Sequence, residues 1–163
     1  MTKPAIASSI ETAGGRLPKP PMRGGVVWMG GEAVLIRRDM NEPATFFNGL
    51  SFLVVEDETV AFMLLEEMLQ GLGAASVWRA RKVAEALAVL EKHRPNAAVL
   101  DINLSGEMVF PVAVNLEEAK IPFIFTTGYG RSLIPPYWAQ KLTLQKPFQS
   151  EVLAAALNWV IAN

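Results

Sequence analysis

Phe52-Leu53-Val54-Val55-Glu56-Asp57 is a run of four apolar residues that stops at two acids. After it the period changes, and Ala61, Leu64, Leu65, Met68, Leu69 and Leu72 recur at helical spacing up to Gly73. A short apolar run without polar alternation reads as a strand buried on both faces, and the 3.6-residue period after it as an amphipathic helix. The same unit repeats outward from here. Ala75-Ser76-Val77-Trp78 precedes the helical set Val83, Ala86, Leu87 and Leu90; Ala97-Ala98-Val99-Leu100 ends on Asp101 and precedes Val109, Val112, Ala113 and Leu116. Pro122-Phe123-Ile124-Phe125 and Leu142-Thr143-Leu144 make two further strands, and Val152, Leu153, Ala156, Leu157, Val160 and Ile161 a last helix. Between those two strands Pro135-Pro136 limits any helix to a turn or two. Five short strands separated by amphipathic helices predict an α/β fold, a doubly wound parallel sheet covered on both faces.

Before residue 50 this rhythm is absent. Seven of the 12 Gly and five of the 11 Pro fall there, which predicts an N-terminal tail over residues 1–48, disordered or weakly structured, and one domain over 49–163. Gly25-Val26-Val27-Trp28 and Ala33-Val34-Leu35-Ile36, flanking Gly30-Gly31, are the stretch of the tail that could pair as a short hairpin. Met40 offers a second start that would leave most of this segment out.

The 163 residues carry 15 Lys+Arg against 16 Asp+Glu, a formal charge of -1, and this balance supplies no field to hold nucleic acid or an anionic membrane. No apolar run approaches the length of a membrane span, and the first residues lack a signal-peptide core, so a cytoplasmic protein is expected. Without cysteine, disulfides, thiol catalysis and cysteine-based metal sites are excluded, and a lone histidine, His93, excludes paired-histidine metal motifs. Any chemistry rests on carboxylates, hydroxyls and lysine.

In an open parallel sheet ligands bind beyond the carboxyl ends of the strands. The residues there are Glu56-Asp57 after the first strand, Asp101 with Ile102-Asn103 at the third, Thr126-Thr127-Gly128 at the fourth and Lys146-Pro147 after the fifth. Each alone has a plain explanation: acids after a strand commonly cap the next helix, and Lys-Pro or Thr-Thr-Gly commonly form turns. Their coincidence at the right ends of one sheet predicts a site. Three carboxylates in one cleft repel unless cations intervene; Lys146 supplies one charge, and an oxygen-rich set suits Mg²⁺. Such a site is poised to accept a phosphoryl group on a carboxylate, and Asp101, at the end of the central strand, is the expected nucleophile, with Thr127 and Lys146 stabilising the transferred oxygens.

Residues 51–163 resemble the receiver domain of two-component response regulators, through Leu53-Val54-Val55-Glu56-Asp57-Glu58, Ala98-Val99-Leu100-Asp101-Ile102-Asn103-Leu104, Thr127-Gly128 and Lys146-Pro147-Phe148. The resemblance implies a flavodoxin-like five-stranded sheet of order 2-1-3-4-5 and phosphorylation at Asp101. It implies Asp57 and Asp101 as direct Mg²⁺ ligands with the Asn103 carbonyl, and Glu56 acting through water. Thr127 becomes the switch hydroxyl and Lys146 the phosphate partner, preceding a cis Pro147. The donor is then a sensor histidine kinase or a phosphotransfer protein, and the reader a downstream protein effector.

Pro122-Phe123-Ile124-Phe125-Thr126-Thr127-Gly128-Tyr129-Gly130 further resembles the FAT GUY subgroup, with Thr126 where that motif has Ala. Most receivers carry an aromatic residue three positions before the lysine; Thr143 stands there. The expected output surface is therefore the segment after Thr127, with Tyr129, Tyr137 and Trp138 presented to a partner beside Thr143. The chain is expected to act as a single-domain response regulator rather than an enzyme. The competing reading, a Mg²⁺-dependent Asp-nucleophile phosphatase or phosphotransferase for small molecules, lacks the second acid near the nucleophile, because Asn103 stands there. His93, Trp78, Trp159 and the methionines of the first helix are expected to be structural.

Overall fold

The computed structural model describes residues 46–163 in full and, before them, the backbone of strands β1 (Glu11–Thr12), β2 (Gly25–Met29) and β3 (Glu32–Ile36). β4 (Ser51–Val55) leads to α1 (Thr59–Gly71), and β5 (Ser76–Ala80) to α2 (Val83–Lys92). β6 (Ala97–Asp101) leads through a small hairpin, β7 (Asn103–Leu104) and β8 (Glu107–Met108), to α3 (Phe110–Glu118). β9 (Phe123–Thr127) passes through a 3₁₀ turn at Pro136–Trp138 to β10 (Thr143–Gln145) and α4 (Ser150–Ala162).

Strands β5-β4-β6-β9-β10 are neighbours in that order and all parallel, which is the 2-1-3-4-5 arrangement. Because successive side chains on a strand point to opposite faces, each strand serves two cores. Phe52, Val54, Val99, Ile124 and Leu144 pack under α1 and α4; Leu53, Val55, Ala98, Leu100, Phe123 and Phe125 pack under α2 and α3. Each buried Val, Leu, Ile or Phe among them contributes roughly 1.5–3 kcal/mol.

α1 buries Phe62, Leu65 and Leu69, with Leu72 just beyond it, while Leu64 and Met63 stand 52% and 59% exposed, so the buried stripe is rotated from the expected one. The chain turns away from the helix at Gly73, two residues past its end, whose φ of +97° is open to glycine without strain and where a Cβ would lie 2.6 Å from the Asn48 side chain. Trp78 stacks on His93 with ring centroids 4.7 Å apart, and Trp159 is 42% exposed; all three are surface packing.

The expectation of a tail over residues 1–48 meets two findings. Phe47 is fully buried with its ring 5.0 Å from that of Phe52, so the packed unit starts before residue 49. The hairpin candidate is a hairpin: β2 and β3 share five residue pairs, and β2 pairs antiparallel with β10, giving the edge of the sheet a neighbour. Residues 1–10, 13–24, 30–31 and 37–45 lie outside the described residues.

Thr126, fully buried in β9, has a hydroxyl without a hydrogen-bond partner. A buried unsatisfied hydroxyl costs free energy that an isosteric methyl does not. Thr126→Val is therefore expected to raise stability by about 1 kcal/mol in urea denaturation. A loss of that size would show that the hydroxyl has a partner.

Candidate functional site

The carboxyl ends of β4, β6, β9 and β10 bring Glu56, Asp57, Asp101, Thr127 and Lys146 to one edge, as their positions after the strands require. Carboxylate oxygens of Glu56, Asp57 and Asp101 lie within 4.8 Å of one another. Lys146 Nζ joins two of them, 2.7 Å from Glu56 Oε2 and 3.3 Å from Asp101 Oδ2. Glu56 is fully buried and Asp101 is 8% exposed. The Lys146–Pro147 bond is cis.

Glu56 has both oxygens engaged: Oε1 accepts the Glu58 N–H at 3.1 Å and Oε2 the Lys146 ammonium. The Glu58 side chain makes no capping bond to α1, so helix capping does not account for this acidic run. Asp57 accepts the hydroxyl of Ser105, a residue at φ 56° in the turn between β7 and β8. The Asn103 side-chain oxygen accepts the Gly106 N–H at 2.6 Å, which holds that turn against the site.

Electrostatics at Asp101 follow from this crowding. Burial pushes its carboxyl up most strongly; the Lys146 ammonium opposes, but the Glu56 and Asp57 charges add to the rise, and the value reaches about 6 against an ordinary 3.8. Burial works to lower the Lys146 ammonium, yet its hydrogen bond to Glu56 and the charges of Asp101 and Glu56 prevail, and its shift is upward. Lys146 thus stays charged, and the acceptor carboxylate lacks full compensation. The crowded, all-oxygen donor set fits a hard divalent cation such as Mg²⁺.

Thr127 stands at the other side of the edge. Its hydroxyl donates to Gly130 O at 3.0 Å and accepts the Tyr129 N–H at 3.1 Å, and its carbonyl accepts the Lys146 N–H at 2.8 Å. A cavity of about 270 Å³ lined by Thr127, Gly130, Arg131 and Gln145 opens beside it.

The expected output surface divides. Tyr129 and Tyr137 are 76% and 73% exposed. Trp138 is not: the turn begun by Pro136 directs its indole inward, 5.9 Å from each of the Phe123 and Phe125 rings, and it is 3% exposed. Covering two phenylalanines on the sheet face outweighs leaving the indole in water. Thr143 is fully buried with its hydroxyl donating to Lys141 O, so it presents nothing to a partner either.

Sequence reasoning missed three features. The first is the Ser105 hydroxyl on Asp57, for which Asn-Leu-Ser-Gly signals only a turn. The second joins α3 to the 3₁₀ turn: Glu117 accepts from Tyr137 Oη at 2.9 Å and from Lys141 Nζ at 2.9 Å. The Lys141 hydrogen bond, with that of Tyr137, holds the Glu117 carboxyl below its ordinary value. The third is Arg79, whose guanidinium reaches Asp57 O at 3.4 Å and Thr59 Oγ1 at 3.3 Å while lying over the Phe62 ring.

The family model described as the response regulator receiver domain matches residues 52–158. This chain is a response regulator receiver. The phyllosphere-induced regulator PhyR of Methylorubrum extorquens is 33% identical over 110 residues, 65% of this chain and 41% of that protein. The sensory transduction protein LytT of Bacillus anthracis is 31% identical over 113 residues, 67% of this chain and 46% of that protein. The chain thus spans less than half the length of these curated relatives. Among solved structures, SdrG from Sphingomonas melonis Fr1 is 35% identical at a TM-score of 0.61, covering 72% of this chain and 98% of its own. Receivers are modules of two-component signalling, and Mg²⁺ binding is typical of them. No helix among the described residues is long and apolar enough to cross a membrane.

Proposed function

We propose that this receiver accepts a phosphoryl group on Asp101 from the phosphohistidine of a sensor histidine kinase or phosphotransfer protein. In this reading it passes the signal on by protein contacts in the cytoplasm, without nucleic acid or membrane. The observation that carries this is the joint approach of three carboxylates to one another with Lys146 held between Glu56 and Asp101. In the transfer, an Asp101 carboxylate oxygen bonds to phosphorus as the donor's phosphorus–nitrogen bond breaks and its electron pair returns to the imidazole. Lys146 is placed to neutralise a phosphoryl oxygen, and the Thr127 hydroxyl to donate to another by giving up Gly130 O.

Asp57, Asp101 and the Asn103 backbone carbonyl would hold Mg²⁺, with Glu56 assisting through water. When bound, Mg²⁺ supplies positive charge to the acids and to the phosphoryl oxygens. Glu56, with both oxygens already engaged, is suited to the indirect role. Asp57→Ala is accordingly expected to weaken Mg²⁺ binding at least ~10-fold by calorimetry, and Glu56→Ala by less. Equal losses, or none at Asp57, would contradict the assignment.

The phosphoacceptor unit is residues 49–163 with the short packed lead-in at Phe47, and the segment before it is dispensable for phosphorylation. The run from Pro122 to Gly130, with Thr126 in place of the motif's Ala, supports membership of the FAT GUY subgroup. Release of Gly130 by Thr127 carries the signal into the following segment, with the exposed Tyr129 as its aromatic readout and the exposed Tyr137 held to Glu117 at the far end. The test is incubation with acetyl phosphate and Mg²⁺ followed by intact mass, in which a single phosphoryl adduct is expected and none would refute the reading.

A further inference from the structure

The receiver sheet would end at β10, but here β2 lies antiparallel beside it, with β3 and β1 behind. The two seams of β2 are unequal. It shares five residue pairs with β3, from Gly25–Ile36 to Met29–Glu32, and two with β10, Trp28–Thr143 and Val27–Leu144. Cross-strand pairs are the units that stabilise a sheet, so of its two strand seams the one with β10 is the weaker, with α4 also lying against β2.

The weak seam also lies against the phosphoacceptor site. Gln145, next to Leu144, is in register with Thr127, and the following residue, Lys146, donates its N–H to Thr127 O while its ammonium reaches Glu56 and Asp101. Of the two groups that would grip a phosphoryl group, Lys146 follows the strand that holds the hairpin and Thr127 ends the strand on its other side. A strand edge without a neighbour presents a row of unpaired N–H and C=O groups, which is a docking surface for another strand.

We propose that the β10 edge is a strand-docking surface whose resting occupant is the chain's own β2–β3 hairpin. A phosphoryl group on Asp101 loosens that occupant by drawing Lys146 and Thr127 inward and shifting β10 against its two pairs. An extended segment of a protein effector then pairs antiparallel with β10, and β2 itself shows the kind of segment that fits. This inference rests on the phosphoacceptor reading and adds to it the surface on which the state is read.

The test uses the full chain and two measurements, hydrogen exchange and the anisotropy of a labelled peptide copying residues 25–36. In the free chain the amides of residues 26–28 exchange slowly. With beryllofluoride and Mg²⁺, slowed exchange at Thr127 and Lys146 reports loading, and exchange at residues 26–28 accelerates. The peptide binds the loaded chain more tightly than the free one by roughly 5–150-fold, the usual range of coupling between sites. A peptide carrying both Val27→Pro and Trp28→Pro does not bind, because consecutive residues of an antiparallel strand turn their N–H groups to opposite neighbours and replacing both removes a donor from the β10 side. Loading that leaves exchange at residues 26–28 and peptide affinity unchanged overturns this inference and leaves the phosphoacceptor reading standing. Failure to load at Thr127 and Lys146 overturns that reading, and this inference with it.

Discussion

Asp101→Ala is expected to abolish the phosphoryl adduct altogether, whereas the native protein with acetyl phosphate and Mg²⁺ gains one. The reason is geometric. Glu56 is the nearest alternative acceptor, but it is fully buried and both its oxygens are engaged, by Lys146 and by the Glu58 N–H. Asp57 has its carboxylate bound by the Ser105 hydroxyl, and the Lys146 ammonium pairs with Glu56 and Asp101 instead. Neither offers an oxygen that is both near Lys146 and free to attack. The adduct on the native protein should be an acyl phosphate, released by hydroxylamine. Undiminished labelling of the Ala variant, or an adduct resistant to hydroxylamine, would place the chemistry on a hydroxyl or on another acid.

The second large effect is on stability. Asp101 has its carboxyl pushed up from 3.8 to about 6, first by burial and then by Glu56 and Asp57, with Lys146 opposing. A raised carboxyl binds its proton more tightly when folded, so ionising it costs stability. That cost is absent below pH about 4, where the unfolded carboxyl is itself protonated, and grows until the pH passes the folded value. At pH 7 it amounts to about 2–3 kcal/mol, since each unit of displacement is worth about 1.4 kcal/mol. Without metal, Asp101→Asn is therefore expected to be more stable than the native protein by that amount at pH 7, with the gap closing near pH 4. Excess Mg²⁺ should narrow the gap at pH 7, because it stabilises the form that binds it. Urea denaturation at the two pH values decides; a variant less stable than the native protein at pH 7 would mean that Lys146 over-compensates Asp101.

These effects were legible in the sequence to the extent that they depend on strand ends. Parallel strands buried on both faces leave their polar residues at the carboxyl end, so Glu56, Asp57, Asp101, Thr127 and Lys146 could be placed together without any knowledge of the turns between. What depends on how a turn is aimed was not legible. Trp138 reads as exposed beside two prolines, yet a single 3₁₀ turn sends it onto Phe123 and Phe125. Leu64 fits the helical period as well as Phe62 does, but it is Phe62 that packs into the core with Phe52 and Val54 of β4 while Leu64 faces solvent. The hairpin was visible as two apolar runs about Gly30-Gly31. Its attachment to β10 was not, since β10 is short and nothing in its residues names a neighbour.

The bonds around the segment from Gly128 to Ala139 make its two exposed tyrosines unequal. At its far end Tyr137 is pinned to Glu117, which Lys141 also holds, and the Arg131 guanidinium reaches Ala139 O. At its near end the restraint is the Thr127 hydroxyl on Gly130 O and the Tyr129 N–H. Mechanically this is a lever with its fulcrum at the Glu117 end and its free arm at the site. In the proposed signalling, a displacement started at Thr127 is carried by Tyr129 and dies away towards Tyr137. On that proposal Tyr129 is the pointer of the device, and Tyr137 belongs to its mounting.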